Sequence, residues 1–304
     1  MEQKQDFNEH FKIILLGDNF VGKSCLLQTY CGGNLYSSDE YMDTMGVDQQ
    51  ISRLKAFNKI IQLRIWDASG APGLHKIVSS YFRSVDAALI CFDLSNRSSL
   101  QHTKEHIERL KVIKNVPMIL VGCKADLEQR RVVSFEEAKK WASELGLTYI
   151  EVSSLKKANI EQPFTQITEQ IYIAKQLNKL KPKLEEFLNS YLINLKNRSG
   201  FFAEQNLDLA KQGTLREEYK TLFDKLFHLR SVEELAEAYR KATELLEKAD
   251  NLYKQDSPFL STFVSSPLST ALRQTVEILG GLLTHLSAGK ELKHQKPGTV
   301  TNSL

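Results

Sequence analysis

The sequence predicts an α/β fold with a six-stranded, mostly parallel sheet covered by helices on both faces, followed by an all-α C-terminal region. Up to about residue 176, near-continuous apolar runs of strand length alternate with amphipathic helical patterns. Such runs are typical of parallel strands buried on both faces. Beyond residue 176 the strand patterns stop and only helical periodicity continues. We therefore expect domains at 1–176 and 177–288, with a basic, disordered tail at 289–304.

The first predicted strand, residues 11–16, leads into a phosphate-binding loop with the pattern G-x-x-x-x-G-K-S at residues 17–24. In this P-loop, Gly17 and Gly22 let the backbone turn tightly and approach phosphate oxygens. Lys23 is expected to reach the outer phosphates, and the Ser24 hydroxyl to ligate Mg²⁺. The other predicted phosphate-binding residues of the loop are Asn19, Phe20, Val21 and Cys25. A chance match is the alternative, but the strand before and the helix after disfavour it.

The remaining elements of the first domain follow in order. A hairpin is predicted over 49–56 and 59–67, turning at Phe57-Asn58, and further strands at 87–94, 117–123 and 147–152. Residues 98–113 carry a helical pattern, and Ser134 with Glu137 forms a capping box that opens another helix. This alternation predicts a doubly wound sheet of the P-loop NTPase type.

The second domain shows helical patterns only. Residues 182–195 are amphipathic, and capping boxes at Thr214/Glu217 and Ser231/Glu234 open predicted helices at 214–229 and 231–254. A linker is predicted at 257–267, and a last helix at 268–286, interrupted by two glycines. The structural interpretation of this domain is a small helical bundle, and the functional interpretation is a module that binds a protein or a membrane.

Composition narrows the functional classes. The 304 residues are 42% hydrophobic and 25% charged with a net charge of +3, so nothing indicates nucleic-acid binding. No apolar run reaches the roughly 18 residues of a membrane helix. The four cysteines lack C-x-x-C spacing, which favours reduced thiols in a cytosol. Since no cysteine follows Cys123, we expect no C-terminal prenyl anchor.

Three further motifs predict the rest of a nucleotide site. Asp67 ends a predicted strand, where it can hold Mg²⁺, and the Gly70 N–H three residues later can meet a γ-phosphate. Thr44, in the loop before the hairpin, can close over the metal. Asp126 follows another strand, and its carboxylate can accept two hydrogen bonds from guanine, whereas adenine offers neither donor. The other predicted guanine-binding residues are Cys123, Lys124, Ser153, Ser154 and Leu155.

With these motifs in order, residues 10 to about 176 resemble a Ras-superfamily small GTPase. The segments 41–48, 66–67 and 81–90 are most similar to those of Rab proteins. The resemblance implies that the chain binds GTP and GDP with Mg²⁺ and hydrolyses GTP. It also implies switch segments near 36–48 and 67–82 that bind effectors or regulators, and a role in vesicle trafficking.

The first departures from the family pattern concern the residues expected to support GTP hydrolysis and to contact the guanine base. Ala71 stands where the family has the glutamine that orients the attacking water, so no catalytic residue is assigned. Pro72 favours an extended conformation at Ala71. Cys123 replaces an asparagine that contacts the base, which we expect to weaken nucleotide binding up to about tenfold. Phe20 brings a bulky ring into the P-loop.

Two more departures affect the switches. Ser37 stands where an aromatic residue usually stacks under guanine, so Tyr36 is a candidate substitute. Gln49 replaces a phenylalanine of the switch face, so effector binding is expected to differ.

The sequence thus favours a cytoplasmic, Rab-like GTP-binding switch with slow hydrolysis, peripheral on membranes if recruited there. Three alternatives stay open. In the first, the departures from the family pattern are neutral drift around a working switch. In the second, the chain is a non-hydrolysing or nucleotide-free interaction module. In the third, it is a bacterial effector that mimics a Rab in the host-cell cytoplasm.

Overall fold

The computed structural model describes residues 7–33, 44, 46–198, 209–229, 231–256, 267–288 and 293–294. The chain divides into two compact units, each taken here by itself. Unit 1 comprises residues 1–171 and 290–304, and unit 2 comprises residues 172–289.

A single sheet forms the centre of unit 1. Its strands are β1 (Glu9–Leu16), β2 (Val47–Ala56), β3 (Lys59–Ala68), β4 (Ala87–Asp93), β5 (Met118–Cys123), β6 (Thr148–Glu151) and β7 (Lys293–His294). The spatial order is β6-β5-β4-β1-β3-β2-β7. Pairings among β1, β3, β4, β5 and β6 are parallel, whereas β2 runs antiparallel to β3 and to β7. The predicted six-stranded, mostly parallel sheet is confirmed, and the two-residue β7 extends its edge.

The helices of the chain's first part and the burial of its central strands show where the loops after these strands lie. The helices are α1 (Lys23–Tyr30), α2 (His75–Tyr81), α3 (Arg97–Ile113), α4 (Phe135–Glu144) and α5 (Glu161–Arg198). Every residue of β4 and β5 is buried, as expected for central strands covered on both faces. β1 lies between β3 and β4, so the loops after these strands open into one crevice at the carboxyl edge of the sheet.

Local sequence signals explain several element boundaries. The Ser134 hydroxyl accepts a hydrogen bond from the Glu137 N–H at 3.1 Å, so the predicted cap of α4 is present. Phe57 and Asn58 both have positive φ, 53° and 56°, which matches the tight turn of a two-residue hairpin.

Unit 2 is helical. Besides the C-terminal part of α5 it contains α6 (Leu209–Leu226), α7 (Val232–Asp256) and α8 (Pro267–Ala288). The Tyr219 hydroxyl of α6 lies 2.9 Å from the Thr275 hydroxyl of α8, and both side chains are buried. The buried residues of α7 recur every three or four positions, which is the period of one helix face: Val232, Leu235, Ala238, Ala242, Leu245 and Ala249. Among the described helices, none has the length and apolar character needed to cross a bilayer.

The amphipathic segment 182–195 lies inside the 38-residue α5. Two details of the helical region differ from the sequence-based expectation. Thr214 is not a cap, because α6 already begins at Leu209. The two glycines do not interrupt α8. A β-carbon on Gly280 would lie 3.0 Å from a ring carbon of Tyr239, so this glycine lets α8 pack closely on α7.

Two other predicted features fall mostly outside the described residues. The linker at 257–267 does so except for Pro267, which begins α8, and the tail at 289–304 does so except for β7. The cap at Ser231 is present, since its hydroxyl accepts a hydrogen bond from the Glu234 N–H at 3.1 Å.

Candidate functional site

The P-loop joins β1 to α1 and is pressed against the neighbouring strands. Gly17 has φ 147°, and a β-carbon there would lie 2.1 Å from the Cys91 carbonyl oxygen of β4. Gly22 has φ 109°, and a β-carbon there would lie 3.3 Å from the Cys123 β-carbon of β5. Both positions therefore require glycine, because a side chain is strained at these φ values and has no room at Gly17.

Lys23 is anchored inside this loop. Its ammonium donates to the carbonyl oxygens of Gly17 at 2.9 Å and Asp18 at 2.7 Å. Burial lowers the pKa of Lys23, while the charge of Asp67 acts in the opposite direction. An ammonium group has three N–H donors, so these two carbonyls leave one for a phosphate oxygen in the crevice.

Three oxygen-bearing side chains meet beside Lys23. The Ser24 hydroxyl donates a short hydrogen bond to Asp67 Oδ2 and lies 3.1 Å from the Thr44 hydroxyl, which itself lies 3.3 Å from Asp67 Oδ2. Asp67 Oδ1 is buried and has no hydrogen-bond partner among the described residues. Burial raises the pKa of Asp67, and the hydrogen bond from Ser24 opposes this rise. A divalent cation with oxygen ligands fits this set, because it would satisfy the orphaned carboxylate oxygen.

The segment after Asp67 lies directly on the P-loop. A β-carbon on Gly70 would lie 2.3 Å from the Asn19 backbone nitrogen, so only glycine permits this approach. Ala71 has φ −68° and ψ 128°, the extended conformation expected before Pro72. Its backbone N–H donates to the Ser69 hydroxyl at 3.2 Å. The methyl side chain of Ala71 has no group that can orient a water molecule.

The residues predicted to bind guanine lie at the ends of β5 and β6 and in the loops that follow them. Asp126 Oδ1 accepts a hydrogen bond from the Ser153 hydroxyl at 2.6 Å, which fixes the carboxylate. Lys124 has φ 62°, and its ammonium lies 2.7 Å from Asp93 Oδ2. Ser154 is half-buried beside these residues, and Leu155 is exposed. The structure therefore brings Asp126 and Ser153 into contact and ties Lys124 to a carboxylate that the motif did not include.

Cys123 behaves as a core residue. Its side chain is 2% exposed and packs against Gly22. A hydrogen bond with Cys91 and burial together raise the pKa of the Cys123 thiol well above its usual value. The thiol therefore stays protonated inside the sheet and cannot supply the two-sided hydrogen bonding of an amide.

The remaining P-loop positions differ in exposure. Val21 is buried, while Asn19 and Cys25 are half-buried, and burial raises the pKa of the Cys25 thiol. Phe20 has φ 62°, which is unusual for a bulky residue, and its ring is 58% exposed. Its side chain therefore extends toward solvent at the rim of the site.

The switch segments are described only in part. Residues 34–43 and 45 lie outside the described residues, and with them the candidate stacking residues Tyr36 and Ser37. On β2, Gln49 Oε1 accepts a hydrogen bond from Trp66 Nε1 at 3.0 Å, so a polar contact occupies this position of the switch face.

Sequence reasoning missed one cluster at the P-loop. The Asp18 carboxylate lies 2.7 Å from His102 Nδ1 and 3.0 Å from His106 Nε2. Two histidines four positions apart share one face of α3, and this spacing is visible in the sequence. The sequence does not show that Asp18, more than 80 residues earlier, faces them.

Comparison with known proteins agrees with this geometry. The sequence model of the Ras family matches residues 12–173. "Ras-related protein RABD2c" of Arabidopsis thaliana is 35% identical over 168 residues, which cover 55% of this chain and 82% of the relative. "Ras-related protein RIC1" of Oryza sativa subsp. japonica is 34% identical over 168 residues with the same coverage. The family match ends at residue 173, so it does not extend over α6, α7 and α8.

Proposed function

Because the chain belongs to the Ras family and is Rab-like, we propose that it is a guanine-nucleotide switch that binds GTP and GDP with Mg²⁺ and hydrolyses GTP slowly. One observation carries the proposal. Ser24, Thr44 and Asp67 converge around an unsatisfied carboxylate oxygen, next to a buried lysine that keeps one N–H for a phosphate.

The phosphates bind at the P-loop. Backbone N–H groups of residues 19–25 and the start of α1 form the anion cradle, and Lys23 contacts the outer phosphates. Ser24, Thr44 and Asp67 would hold Mg²⁺, directly or through water, and its charge would offset that of the phosphates. The Gly70 N–H is the donor for the γ-phosphate, since Gly70 already lies against the loop.

Asp126 supplies selection for guanine. Its carboxylate accepts from the N1–H and N2–H₂ edge of the base, and the contact with Ser153 holds it in position. A site whose polar group would be left unpaired rejects the wrong base strongly. Because Cys123 carries a buried thiol in place of an amide, the hydrogen bond that an asparagine supplies is lost, and affinity falls up to about tenfold.

Hydrolysis is slow because Ala71 cannot orient the attacking water, and Pro72 holds its backbone extended. Even with glutamine present, intrinsic rates in this class are only about 10⁻⁴ s⁻¹. The protein therefore stays GTP-bound for long periods after loading.

A second candidate function is that of a non-hydrolysing interaction module, such as an effector that mimics a host Rab. The simultaneous loss of the water-orienting side chain at Ala71 and of the base contact at Cys123 favours it. In either case residues 36–48 and 67–82 bind effectors or regulators in the cytoplasm, at trafficking membranes. Unit 2, residues 172–289, is a candidate for recruitment through a protein or a membrane surface.

Equilibrium titration of the full chain with fluorescent GTP, GDP and ATP, with Mg²⁺ and with a chelator, tests the proposal. We expect both guanine nucleotides to bind, ATP to bind at least about a hundredfold more weakly, and chelation to weaken binding strongly. Equal affinity for ATP and GTP would overturn guanine recognition, and binding indifferent to chelation would overturn the metal assignment.

A further inference from the structure

Asp18 connects the P-loop to one face of α3. Both oxygens of its carboxylate are engaged, Oδ2 by His102 Nδ1 at 2.7 Å and Oδ1 by His106 Nε2 at 3.0 Å. His106 is 6% exposed, so this contact is shielded from water, while His102 is at the surface. The carboxylate, whose side chain is 29% exposed, is therefore held in a clamp formed by the two imidazoles.

The backbone of Asp18 lies where the site needs rigidity. Its carbonyl oxygen accepts the 2.7 Å hydrogen bond from Lys23 Nζ. A β-carbon on Gly70 would lie 2.3 Å from the Asp18 carbonyl carbon. A shift of Asp18 would thus displace both the phosphate-binding lysine and the glycine assigned to the γ-phosphate.

The same face of α3 also holds α2. Arg109 donates to the His75 carbonyl oxygen at 3.2 Å and lies 3.3 Å from the Ser79 hydroxyl. The His75 ring meets the His106 ring edge to face, with 6.1 Å between centroids. Positions 102, 106 and 109 of α3 lie on one side of a helix, so this side supports the P-loop and the segment after Asp67 together.

We propose that His102 and His106 are positioning residues, which hold the P-loop through Asp18 and make nucleotide retention dependent on pH. The inference rests on the proposed function. Neither histidine is assigned a contact with nucleotide, and each acts through the Asp18 carboxylate.

The charges around the clamp set the sign of the pH dependence. Burial pushes the pKa of Asp18 upward, but the hydrogen bonds and charges of His106 and His102 outweigh it and the pKa is lowered. Asp18 is thus a carboxylate throughout the range in which imidazoles gain a proton, between about pH 5 and 8. A protonated histidine makes a charge-assisted hydrogen bond roughly twice as strong as a neutral one. The clamp therefore tightens as pH falls.

The other charged groups at this position are Lys23 in the P-loop, His75 on α2, and Glu105 and Arg109 on α3. Burial and the neighbouring charge of Arg109 lower the pKa of His75, so His75 is neutral around neutral pH. The imidazoles in hydrogen-bond contact with the Asp18 carboxylate are His102 and His106.

The test is the dissociation rate of fluorescent GDP from the full chain, at saturating Mg²⁺, between about pH 6 and 8. We expect unmodified protein to release GDP about threefold to tenfold more slowly at the acidic end. The double variant His102→Ala/His106→Ala should release it faster at every pH and lose the pH dependence. In the conservative variant His102→Asn/His106→Gln, amide N–H groups replace the imidazole donors without a titratable charge. It should keep the slow rate of the unmodified chain near pH 8 but lose the further slowing at pH 6.

His10→Gln is the matched control, because His10 is an exposed histidine of the same unit on β1. Its pH profile should equal that of the unmodified chain. A pH dependence that survives in the Asn/Gln variant, or an alanine variant with unchanged rates, would overturn the inference and leave the proposed function intact. Failure of the unmodified chain to bind GDP would overturn the proposed function and with it the inference.

Discussion

The two halves of the nucleotide site differ in what they retain. In the phosphate and magnesium half, Ser24, Thr44 and Asp67 contact one another around one orphaned carboxylate oxygen, and Lys23 is buried nearby. In the base and hydrolysis half, Cys123 is turned into the core and Ala71 has no polar group. Under the proposed function, the first half supplies the groups that would hold phosphate and metal, whereas the second lacks groups that would refine affinity and speed turnover.

This difference teaches that binding and turnover depend on separable parts of one crevice. Phosphate binding depends largely on backbone N–H groups, glycine conformation and a metal, which tolerate changes elsewhere. Water orientation depends on a single side chain, so one substitution removes it. The predictions below test the comparison, starting with the largest expected effect.

Lys23→Ala should weaken binding of both guanine nucleotides by roughly a hundredfold or more, because a buried charge-assisted contact to the phosphates is lost. Titration with fluorescent GDP measures the effect. Lys104→Ala, which removes an exposed lysine of α3, should bind like the unmodified chain. Near-normal GDP affinity in the Lys23 variant would show that the phosphate half is not the main source of binding.

Asp126→Asn should reduce affinity for guanine nucleotides by at least about a hundredfold and admit xanthine nucleotides, because an amide exchanges an acceptor for a donor. Competition between GDP and xanthosine diphosphate shows the exchange. Glu128→Gln removes a nearby exposed carboxylate and should leave base selection unchanged. If xanthine and guanine compete equally before and after the Asp126 change, base recognition does not depend on this carboxylate.

Cys123→Asn should tighten nucleotide binding by up to about tenfold, since it restores an amide beside the base. The dissociation constant for GDP is the measurement, and Cys31→Ser, a half-buried cysteine after α1, is the control. An unchanged or weaker affinity would mean that the contact between the thiols of Cys123 and Cys91 and the packing on Gly22 stabilise the loop more than an amide helps.

Ala71→Gln should raise the single-turnover hydrolysis rate by only a few-fold, because the extended backbone before Pro72 restrains where the new amide can reach. Ala71→Leu, of similar length without an amide, is the matched control and should not accelerate the reaction. Equal rates for the Gln and Leu variants would show that the backbone, and not the missing amide, limits turnover.

Much of the fold could be predicted from local signals, and the failures have a physical cause. Caps such as Ser231 are set by residues three apart, so the sequence shows them. Thr214 was misread as a cap, because α6 begins five residues earlier, at Leu209, and continues through it. Gly280 was misread because its role is a close approach to Tyr239 on another helix.

The candidate site divides in the same way. The P-loop, Asp67 and Asp126 lie in short motifs, so spacing alone was enough to select them as candidate site residues. The contact of Asp18 with α3 joins residues more than 80 positions apart, and no local pattern encodes it. The burial of Cys123 depends in the same way on distant residues, because β5 lies beside β4 and Gly22 of the P-loop packs on the cysteine.

The most direct test of the account is the nucleotide content of the full chain after loading with GTP, followed by chromatography over time at saturating Mg²⁺. We predict that GTP is retained and that it converts to GDP more slowly than the about 10⁻⁴ s⁻¹ typical of the class with glutamine present. Conversion at or above that rate would show that another residue orients the water, and recovery of no guanine nucleotide would contradict binding itself.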